Sequence, residues 1–253
     1  THDMGGGTAT VMAQLIAETL GLPFEKVCFE YGDTRLPQAP VSGGSATVGS
    51  VGSAVHGAVK ALQAKVLELA GKDKNDSLTM EDYPQILKQN NLKQIEADYS
   101  FQPQQEQKYS KHAFGAQFVE VRIDPDFGEV RINRYTGAFA CGKILNHKTA
   151  RSQFMGGIIM GIGMALMEES VVDPNLGRVM NANLGEYHVP VNADIPDIDI
   201  EMIEEVDKNV NPIGTKGIGE IGITGVAAAV ANAVYHATGK RVRNLPITPD
   251  KVM

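Results

Sequence analysis

The residues best suited to chemistry lie in a glycine-rich segment from Thr215 to Gly225. Glu220 is the only Asp, Glu, Lys, Arg or His residue between Lys216 and His236. A carboxylate placed among apolar residues and glycines costs free energy unless it has a role. Two structural roles compete with a functional one, since Glu220 could be a solvated acid at a loop tip or the cap of the helix that follows.

The backbone of the same segment favours close approach by another molecule. Four glycines, at positions 217, 219, 222 and 225, fall within nine residues and predict an irregular backbone. The small-residue run from Val226 to Thr238 predicts a helix that ends at Gly239. A glycine turn that opens a helix presents unpaired N–H groups and the positive end of the helix dipole, which favours a bound anion.

A second glycine turn, Gly5-Gly6-Gly7-Thr8, precedes a predicted helix over residues 11–20. Thr8 or Thr10 is its candidate N-cap, and Gly21 and Pro23 predict its end. A purely structural turn is the alternative to a ligand contact here.

A third turn, Ser42-Gly43-Gly44-Ser45, precedes a predicted helix over residues 51–69 and offers hydroxyl and N–H donors to phosphate or pterin edges. A flexible linker is the alternative, which the helix directly behind the turn disfavours. The fourth turn contains Gly142 and leads to a helix from residue 146 or 149 to 168. We expect the four turns to converge on one elongated, phosphate-bearing ligand. Neither a Walker A loop nor a dinucleotide fingerprint occurs, so an ordinary ATP or NAD site is disfavoured.

The remaining patterns predict a mixed α and β organisation. We expect strands over residues 27–31 and 198–203 and a further strand that ends near residue 140. Residues 116–123 and 129–135 are expected to form a hairpin. Residues 71–112 are polar around one short helix, at 80–89, and predict a surface excursion or a subunit-contact arm. The glycines of the helix after residue 146 cost about 1 kcal/mol each relative to alanine, so something must pack closely there, either another helix or a cofactor.

Composition excludes several functional classes. The 253 residues carry a net charge of −7 and no Lys/Arg stripe, which argues against a nucleic-acid partner. Cys28 and Cys141 form neither a metal-binding pattern nor a disulfide framework. The longest apolar run, Met155 to Met167, is interrupted by glycines and falls short of a membrane span. Because Thr1 begins the chain inside an apparent motif, we expect a fragment or one piece of a larger polypeptide.

These motifs, in this order, resemble the xanthine oxidase/aldehyde oxidase family of molybdenum hydroxylases, and the resemblance covers nearly the whole chain. Lys216-Gly217-Ile218-Gly219-Glu220 is similar to the segment that carries the family's catalytic glutamate. The chain looks like the C-terminal half of the large, molybdopterin-binding subunit, closest to the bacterial aldehyde oxidoreductases. The resemblance implies an α+β fold of two similar, interleaved subdomains, in which helices cover mixed or antiparallel sheets. Their division is expected near residues 112–115.

The resemblance also implies which residues bind the cofactor. They are Gly5, Gly6, Gly7, Thr8 and Thr10 in the first loop; Ser42, Gly43, Gly44 and Ser45 in the second; Cys141, Gly142, Lys143, Asn146 and Gln153 in the third; and Lys216, Gly217 and Gly219 beside Glu220. The chain departs from the family at Gly6, where glutamine is common, and at Cys141, where aspartate is common.

The implied cofactor is a molybdenum pterin, expected as the cytosine dinucleotide, whose dithiolene holds the metal without protein ligands. The implied reaction is hydroxylation with water, in which Glu220 takes the proton of the attacking hydroxyl and hydride passes to the metal's sulfido ligand. Electrons leave through [2Fe-2S] clusters and FAD on other domains or subunits. An aldehyde is the expected substrate, and an N-heterocycle such as a purine or a nicotinate-like ring is the alternative.

Three functional hypotheses follow. The first is the molybdenum-binding portion of an oxidoreductase that works with the N-terminal half of the large subunit, an iron–sulfur subunit and a FAD subunit. The second is a non-catalytic cofactor-binding fragment that needs its partner half. The third is an unrelated sugar-phosphate-binding or nucleotide-binding α+β protein. We expect a cytoplasmic location, with the periplasm as the alternative, and neither nucleic acid nor a membrane as a partner.

Overall fold

A computed structural model describes residues 1–73, 76–102 and 108–253. The contacts of the chain divide it into two units, each assembled from three segments. The first unit comprises residues 1–112, 142–147 and 205–217. The second comprises residues 113–141, 148–204 and 218–253. The chain is of the α+β class, as predicted.

The first unit is built on three helices. They are α1 (Thr8–Leu20), α2 (Thr47–Leu69) and α3 (Asp82–Gln89). A buried cluster of Val11, Met12 and Val51 joins α1 to α2. Gly21 adopts a left-handed conformation with φ of 66° and ends α1, as the sequence predicts.

A second cluster in the first unit joins α2 to the polar segment that follows it. Leu78 and Ile86 are buried against Val66 and Leu67 of α2. The predicted excursion over residues 71–112 therefore contributes apolar side chains to a core. Its residues 74–75 and 103–107 lie outside the described residues.

The predicted strand over residues 27–31 is wrong. A 3₁₀ turn, Phe24–Lys26, is followed by an extended segment that pairs with no strand among the described residues. Gly32 donates its N–H to the carbonyl oxygen of Thr1 at 2.8 Å, but in the described part of the chain no ladder of such bonds continues from it. An extended segment becomes a strand only where a neighbour pairs with it, which the residue types of the segment do not specify.

The second unit carries the strands of the described residues. Strands β1 (Phe114–Ile123) and β2 (Val130–Ala140) form the predicted hairpin, in antiparallel register from Phe114 opposite Ala140 to Ile123 opposite Val130. A bulge falls between Glu120 and Val121.

Helix α4 (His147–Leu166) follows the hairpin, and the short strands β3 (Val172–Asp173) and β4 (Arg178–Val179) pair with each other. Strand β5 (Asp197–Ile203), as predicted, extends the main sheet by pairing in parallel with β2. Its alternating acidic residues place one face in solvent.

The core of the second unit lies between the sheet and its helices. The rings of Phe139 on β2 and Phe154 on α4 stack at 4.4 Å between centroids and are almost fully buried. The last helices are α5 (Ile221–Thr224), α6 (Val226–Thr238), which ends at Gly239 as predicted, and α7 (Pro249–Val252). Helix α6 contacts β1 and buries Val226, Val230 and Val234.

By length and composition, residues 221–238 are apolar enough to cross a membrane, and one such stretch in the described residues is weak support for a span. The stretch is divided into α5 and α6 at Gly225.

Candidate functional site

The first glycine turn in the first unit is closed by a side chain. Asp3 Oδ1 accepts the backbone N–H groups of Gly5 at 2.9 Å and of Gly7 at 3.2 Å. Gly7 is the N-cap of α1 in a left-handed conformation with φ of 78°, which L residues avoid. The predicted threonine N-cap is therefore wrong. Thr8 is already the first, buried residue of the helix, and Thr10 is exposed on its first turn.

The second predicted loop lies against the glycine-rich segment within the same unit. A Cβ atom on Gly217 would lie 2.7 Å from the Cβ atom of Ser45, closer than real side chains approach. Ser42 is buried, and its hydroxyl lies 3.3 Å from that of Thr1. Gly43 is half-buried and Gly44 exposed. Two segments that are about 170 residues apart in sequence thus meet where only glycine fits.

The third predicted loop also joins the glycine-rich segment. Gly142 has φ of 69°, and a Cβ atom there would lie 2.3 Å from the carbonyl oxygen of Gly214. That oxygen accepts the N–H of Lys143 at 2.8 Å, and Gly142 and Thr215 form an isolated antiparallel bridge. The same loop reaches α1, because Asn146 Nδ2 donates to Gln14 Oε1 at 3.1 Å.

Lys216 is held by two carboxylates. Its side chain is only 7% exposed, and its Nζ lies 2.6 Å from Glu205 Oε1 and 3.1 Å from Asp207 Oδ2. Burial opposes the charge, but the hydrogen bonds to Glu205 and Asp207 outweigh it and raise the pKa of Lys216. The pKa of Asp207 is lowered, first by the backbone N–H of Asn209 and then by Lys216.

Glu205 connects this ion pair to the third loop. While its Oε1 binds Lys216, its Oε2 accepts the N–H of Gly142 at 3.1 Å. One carboxylate thus bridges two of the predicted loops. Because it accepts the N–H of Gly142, this N–H is not available to a bound anion.

Asn211 closes the turn that leads to Lys216. Its Nδ2 donates to the carbonyl oxygen of Thr215 at 2.7 Å, and its Oδ1 accepts the N–H groups of Ile213 and Thr215 at 3.2 Å each. An Asn side chain that substitutes for backbone partners in this way fixes a turn without regular secondary structure.

A cavity of about 700 Å³ lies in the first unit beside these loops. Among the described residues its lining includes the predicted residues Gly44, Ser45, Lys216 and Gly217. Among the described residues, the lining also includes the cationic side chains of Lys108, Lys111 and Lys208 and the rings of Tyr99, Phe101 and Tyr109, and it includes no acidic residue. The described residues supply no ion-pair partner to these three lysines. A cavity of this size with cations, rings and amides suits an anionic organic ligand.

The second unit carries Glu220. It is the exposed N-cap residue of α5, and Ile223 donates its N–H to the carbonyl oxygen of Glu220 at 3.2 Å. The glycines around position 220 therefore permit one helical turn, where an irregular backbone is predicted. Gly219 is exposed, and Gln153 is half-buried on α4.

Glycines of α4 position α5. A Cβ atom on Gly157 would lie 2.9 Å from the backbone N of Ile223 and 3.0 Å from the Cα of Gly222, and one on Gly222 would lie 2.9 Å from the carbonyl oxygen of Phe154. A Cβ atom on Gly161 would lie 2.5 Å from that of Val226. Close helix packing, the first of the two explanations, accounts for Gly157 and Gly161, whereas a Cβ atom on Gly156 would meet nothing within 4 Å. Cys141, the first predicted residue of the third loop, is fully buried and in no disulfide.

Sequence reasoning missed Glu205, Asp207 and Asn211. Two signals in the sequence could have drawn attention to them. Glu205 and Asp207 lie in an acidic run after the predicted strand at 198–203, and Asn211 begins an Asn-Pro turn. Among the described residues no group of three His, Cys, Asp or Glu side chains is placed to hold a metal ion.

Comparison with known proteins places these loops in a broader context. A sequence profile of the molybdopterin cofactor-binding domain matches residues 1–196. The chain is 39% identical, over 99% of its length, to the aldehyde oxidoreductase molybdenum-binding subunit PaoC of Escherichia coli. It is 32% identical, again over 99%, to the putative xanthine dehydrogenase molybdenum-binding subunit XdhA of Escherichia coli.

A solved structure shares the fold. The aldehyde oxidoreductase from Desulfovibrio desulfuricans superimposes with a TM-score of 0.80 at 25% identity, over 98% of this chain and 27% of that one. The chain spans about a third of the length of the curated relatives, 35% of PaoC and 36% of XdhA.

Proposed function

Because the chain belongs to the molybdopterin cofactor-binding domain family of the molybdenum hydroxylases, we propose that it forms the molybdenum-pterin-binding part of an enzyme that hydroxylates an aldehyde with water. Identity is higher to the aldehyde oxidoreductase subunit, at 39%, than to the xanthine dehydrogenase subunit, at 32%, which favours an aldehyde over an N-heterocycle. The overall change adds one oxygen from water to the substrate carbon and releases two protons and two electrons.

The observation that carries the proposal is the cationic cavity in a chain of net charge −7. Part of its wall is formed by Gly44, Ser45, Lys216 and Gly217, which the resemblance assigns to the cofactor. Gly217 approaches Ser45 so closely that a Cβ atom on it would lie 2.7 Å from the Cβ atom of Ser45, so a side chain at 217 would displace this part of the wall. Lys108, Lys111 and Lys208 would bind the phosphates of a dinucleotide, for which we propose the cytosine form. Tyr99, Phe101 and Tyr109 offer faces on which a ring can stack.

When bound, the cofactor supplies a two-electron oxidant and a Lewis acid. Glu220 is the residue of this chain that we propose as general base. It follows Gly217, which lines the cavity, by three residues in the sequence. Its carboxylate accepts the proton of the attacking oxygen, a contribution of roughly 100- to 10,000-fold to the rate.

Electrons would leave through iron–sulfur clusters and FAD on other subunits, and the N-terminal half of the large subunit would complete the cofactor site. PaoC and XdhA are both named as molybdenum-binding subunits, which supports an assembly of several chains. We propose the cytoplasm as the compartment, which cell fractionation tests.

The test uses protein purified with its natural partners. Metal analysis should find molybdenum, and Glu220→Gln should lower aldehyde turnover at least 100-fold while the molybdenum content is retained. Glu169→Gln, at an exposed acid elsewhere in the second unit, is the matched control and should be silent. Loss of the metal in Glu220→Gln would assign a structural role to Glu220, and metal-free wild-type protein would overturn the proposal.

The cavity has its own test. Lys208→Gln combined with Lys111→Gln should lower the content of pterin and of released nucleotide, because a phosphate loses its counter-charges. Lys93→Gln, at an exposed lysine away from the cavity, should leave both contents unchanged. Equal contents in the two samples would mean that the phosphates are held elsewhere.

A further inference from the structure

The side chain of Lys216 is occupied within the protein. Both carboxylates within 4 Å of its Nζ belong to the chain itself, and together they exceed its charge by one. The Lys216 side chain as a whole is 93% covered. A phosphate would have to compete with Glu205 at 2.6 Å and would be repelled by the excess negative charge. Lys108, Lys111 and Lys208 in the same cavity face no such competition from the described residues.

Glu205 is the centre of the network around Lys216. Each of its two oxygens serves a different loop, Oε1 the ammonium of Lys216 and Oε2 the N–H of Gly142. The hydrogen bond from Lys143 to Gly214 and the antiparallel bridge between Gly142 and Thr215 join the same two loops. Asp207, in contrast, binds only one of the two loops, through Lys216.

We propose that Glu205 is a positioning residue, whose carboxylate fixes the separation of the Gly142 loop from the Lys216 segment. Lys216 serves as its counter-charge and not as a ligand of the cofactor's phosphate. The inference rests on the proposed function, since Lys216 lies four residues before the proposed base Glu220. A flexible segment at this point lets the carboxylate of Glu220 leave its reactive position, and a displacement of about 1 Å can cost as much as 100-fold in rate.

The decisive pair of variants is Glu205→Gln and Asp207→Asn in the complete enzyme with its partner subunits. Glutamine has nearly the same shape as glutamate but a single acceptor oxygen, so it can keep the contact to Gly142 or the contact to Lys216 but not both. Asparagine at 207 removes the same charge and leaves the bridge through Glu205 intact. The charge change is thus matched and only the link between the loops differs.

For Glu205→Gln we expect kcat to fall about 10- to 100-fold with little change in KM and in molybdenum content. Asp207→Asn should change kcat less than about threefold, because the bridge remains. Lys216→Arg, which keeps the counter-charge, should retain much of the wild-type kcat. Lys216→Met should lower kcat as Glu205→Gln does. A merely structural role would lower the molybdenum content and the apparent kcat in proportion, so that kcat per bound molybdenum would stay unchanged.

A direct readout needs no activity. Native-state hydrogen exchange of the Gly142 amide should accelerate at least tenfold in Glu205→Gln and stay unchanged in Asp207→Asn. This measurement holds even if the proposed reaction is wrong, so the two ideas fail separately.

The alternative, in which Lys216 is a phosphate ligand, predicts different results for the same variants. If Lys216 binds a phosphate, Glu205→Gln frees the ammonium, and cofactor content and kcat stay the same or rise. Lys216→Met then loses pterin and molybdenum. Either of these outcomes would overturn the positioning role.

Discussion

The two units of the molecule fix their functional segments by opposite means. In the first unit, loops are joined by charges and hydrogen bonds, with Glu205, Lys216 and Asn211 as the connecting side chains. In the second, the helix that carries Glu220 is held by the absence of side chains, where Gly157 meets Gly222. A polar link depends on protonation, whereas a contact between backbones admits no added atom. The proposed binding loops should therefore be sensitive to pH, and the position of the proposed base Glu220 should be sensitive to larger side chains at the glycine contacts.

The largest expected effect tests a point at which the first unit also depends on glycine. Gly142→Ala combines a left-handed backbone with a Cβ atom 2.3 Å from the Gly214 carbonyl oxygen. We expect a loss of about 3 kcal/mol in the free energy of unfolding, from strain and overpacking together. Denaturant unfolding measures it.

Gly177→Ala is the control for Gly142→Ala. Gly177 has a similar φ of 61° but nothing within 4 Å of its Cβ position. Its cost should be about 1 kcal/mol, from strain alone. Equal losses at the two positions would show that the Gly214 loop moves aside for the new methyl group. The first unit would then not depend on glycine at position 142, and the contrast with the second unit would be stronger.

Next in size is the glycine contact of the second unit. Gly157→Ala should cost about 1–3 kcal/mol, because the new methyl group meets backbone atoms of α5 that cannot rotate away. In the complete enzyme it should also lower kcat through the displacement of Glu220. Thermal unfolding and steady-state kinetics measure the two effects.

Gly156 provides the matched control one residue earlier in α4, where a Cβ atom would meet nothing within 4 Å. Gly156→Ala should stabilise by up to about 1 kcal/mol, the difference in helix propensity. If alanine at 157 behaved in the same way, the second unit would not depend on glycine packing and the comparison would break down.

A smaller effect concerns His56 on α2 in the first unit. Burial lowers the pKa of His56, and Lys60 and Lys143 lower it further. Its Nδ1 is buried and has no hydrogen-bond partner in the described part of the chain. A lowered folded-state pKa contributes stability above the unfolded value of about 6.5, and this is lost as pH falls through the folded value.

His56→Gln should therefore flatten the dependence of stability on pH between about 7 and 5, as measured by urea unfolding. The second unit provides the contrast, because Gly157→Ala should move the whole curve without changing its slope. A slope unchanged by His56→Gln would mean that the histidine is not responsible.

The smallest effect is expected at Asp207. Its pKa is lowered in the folded state, so its contribution is present above a pH of about 3.8 and is lost as pH falls through the folded value. Asp207→Asn should remove part of the loss of stability in acid. Urea unfolding of Asp207→Asn and of the wild type at matched pH values measures the difference, and identical acid limbs would show that Asp207 does not contribute.

Local patterns in the sequence predicted much of the fold correctly. The alternation of residues 116–123 and the turn after them sufficed for the hairpin, and glycine marked the ends of α1 and α6. Prediction failed where a local preference needed a distant partner. The segment at 27–31 has strand-forming residues but no sheet to join, and α1 is capped by Gly7 with Asp3 closing the turn before it.

The sequence by itself determined the family, the order of the glycine turns and the isolation of Glu220, since each of these is written in neighbouring residues. Only the tertiary structure decided that Lys216 binds Glu205 and Asp207, that Glu205 reaches a loop 63 residues before it, and that Gly157 meets Gly222. The reason is physical. Turn and helix preferences act over a few residues, whereas the pairing of buried charges and the contact of two backbones depend on how distant segments pack.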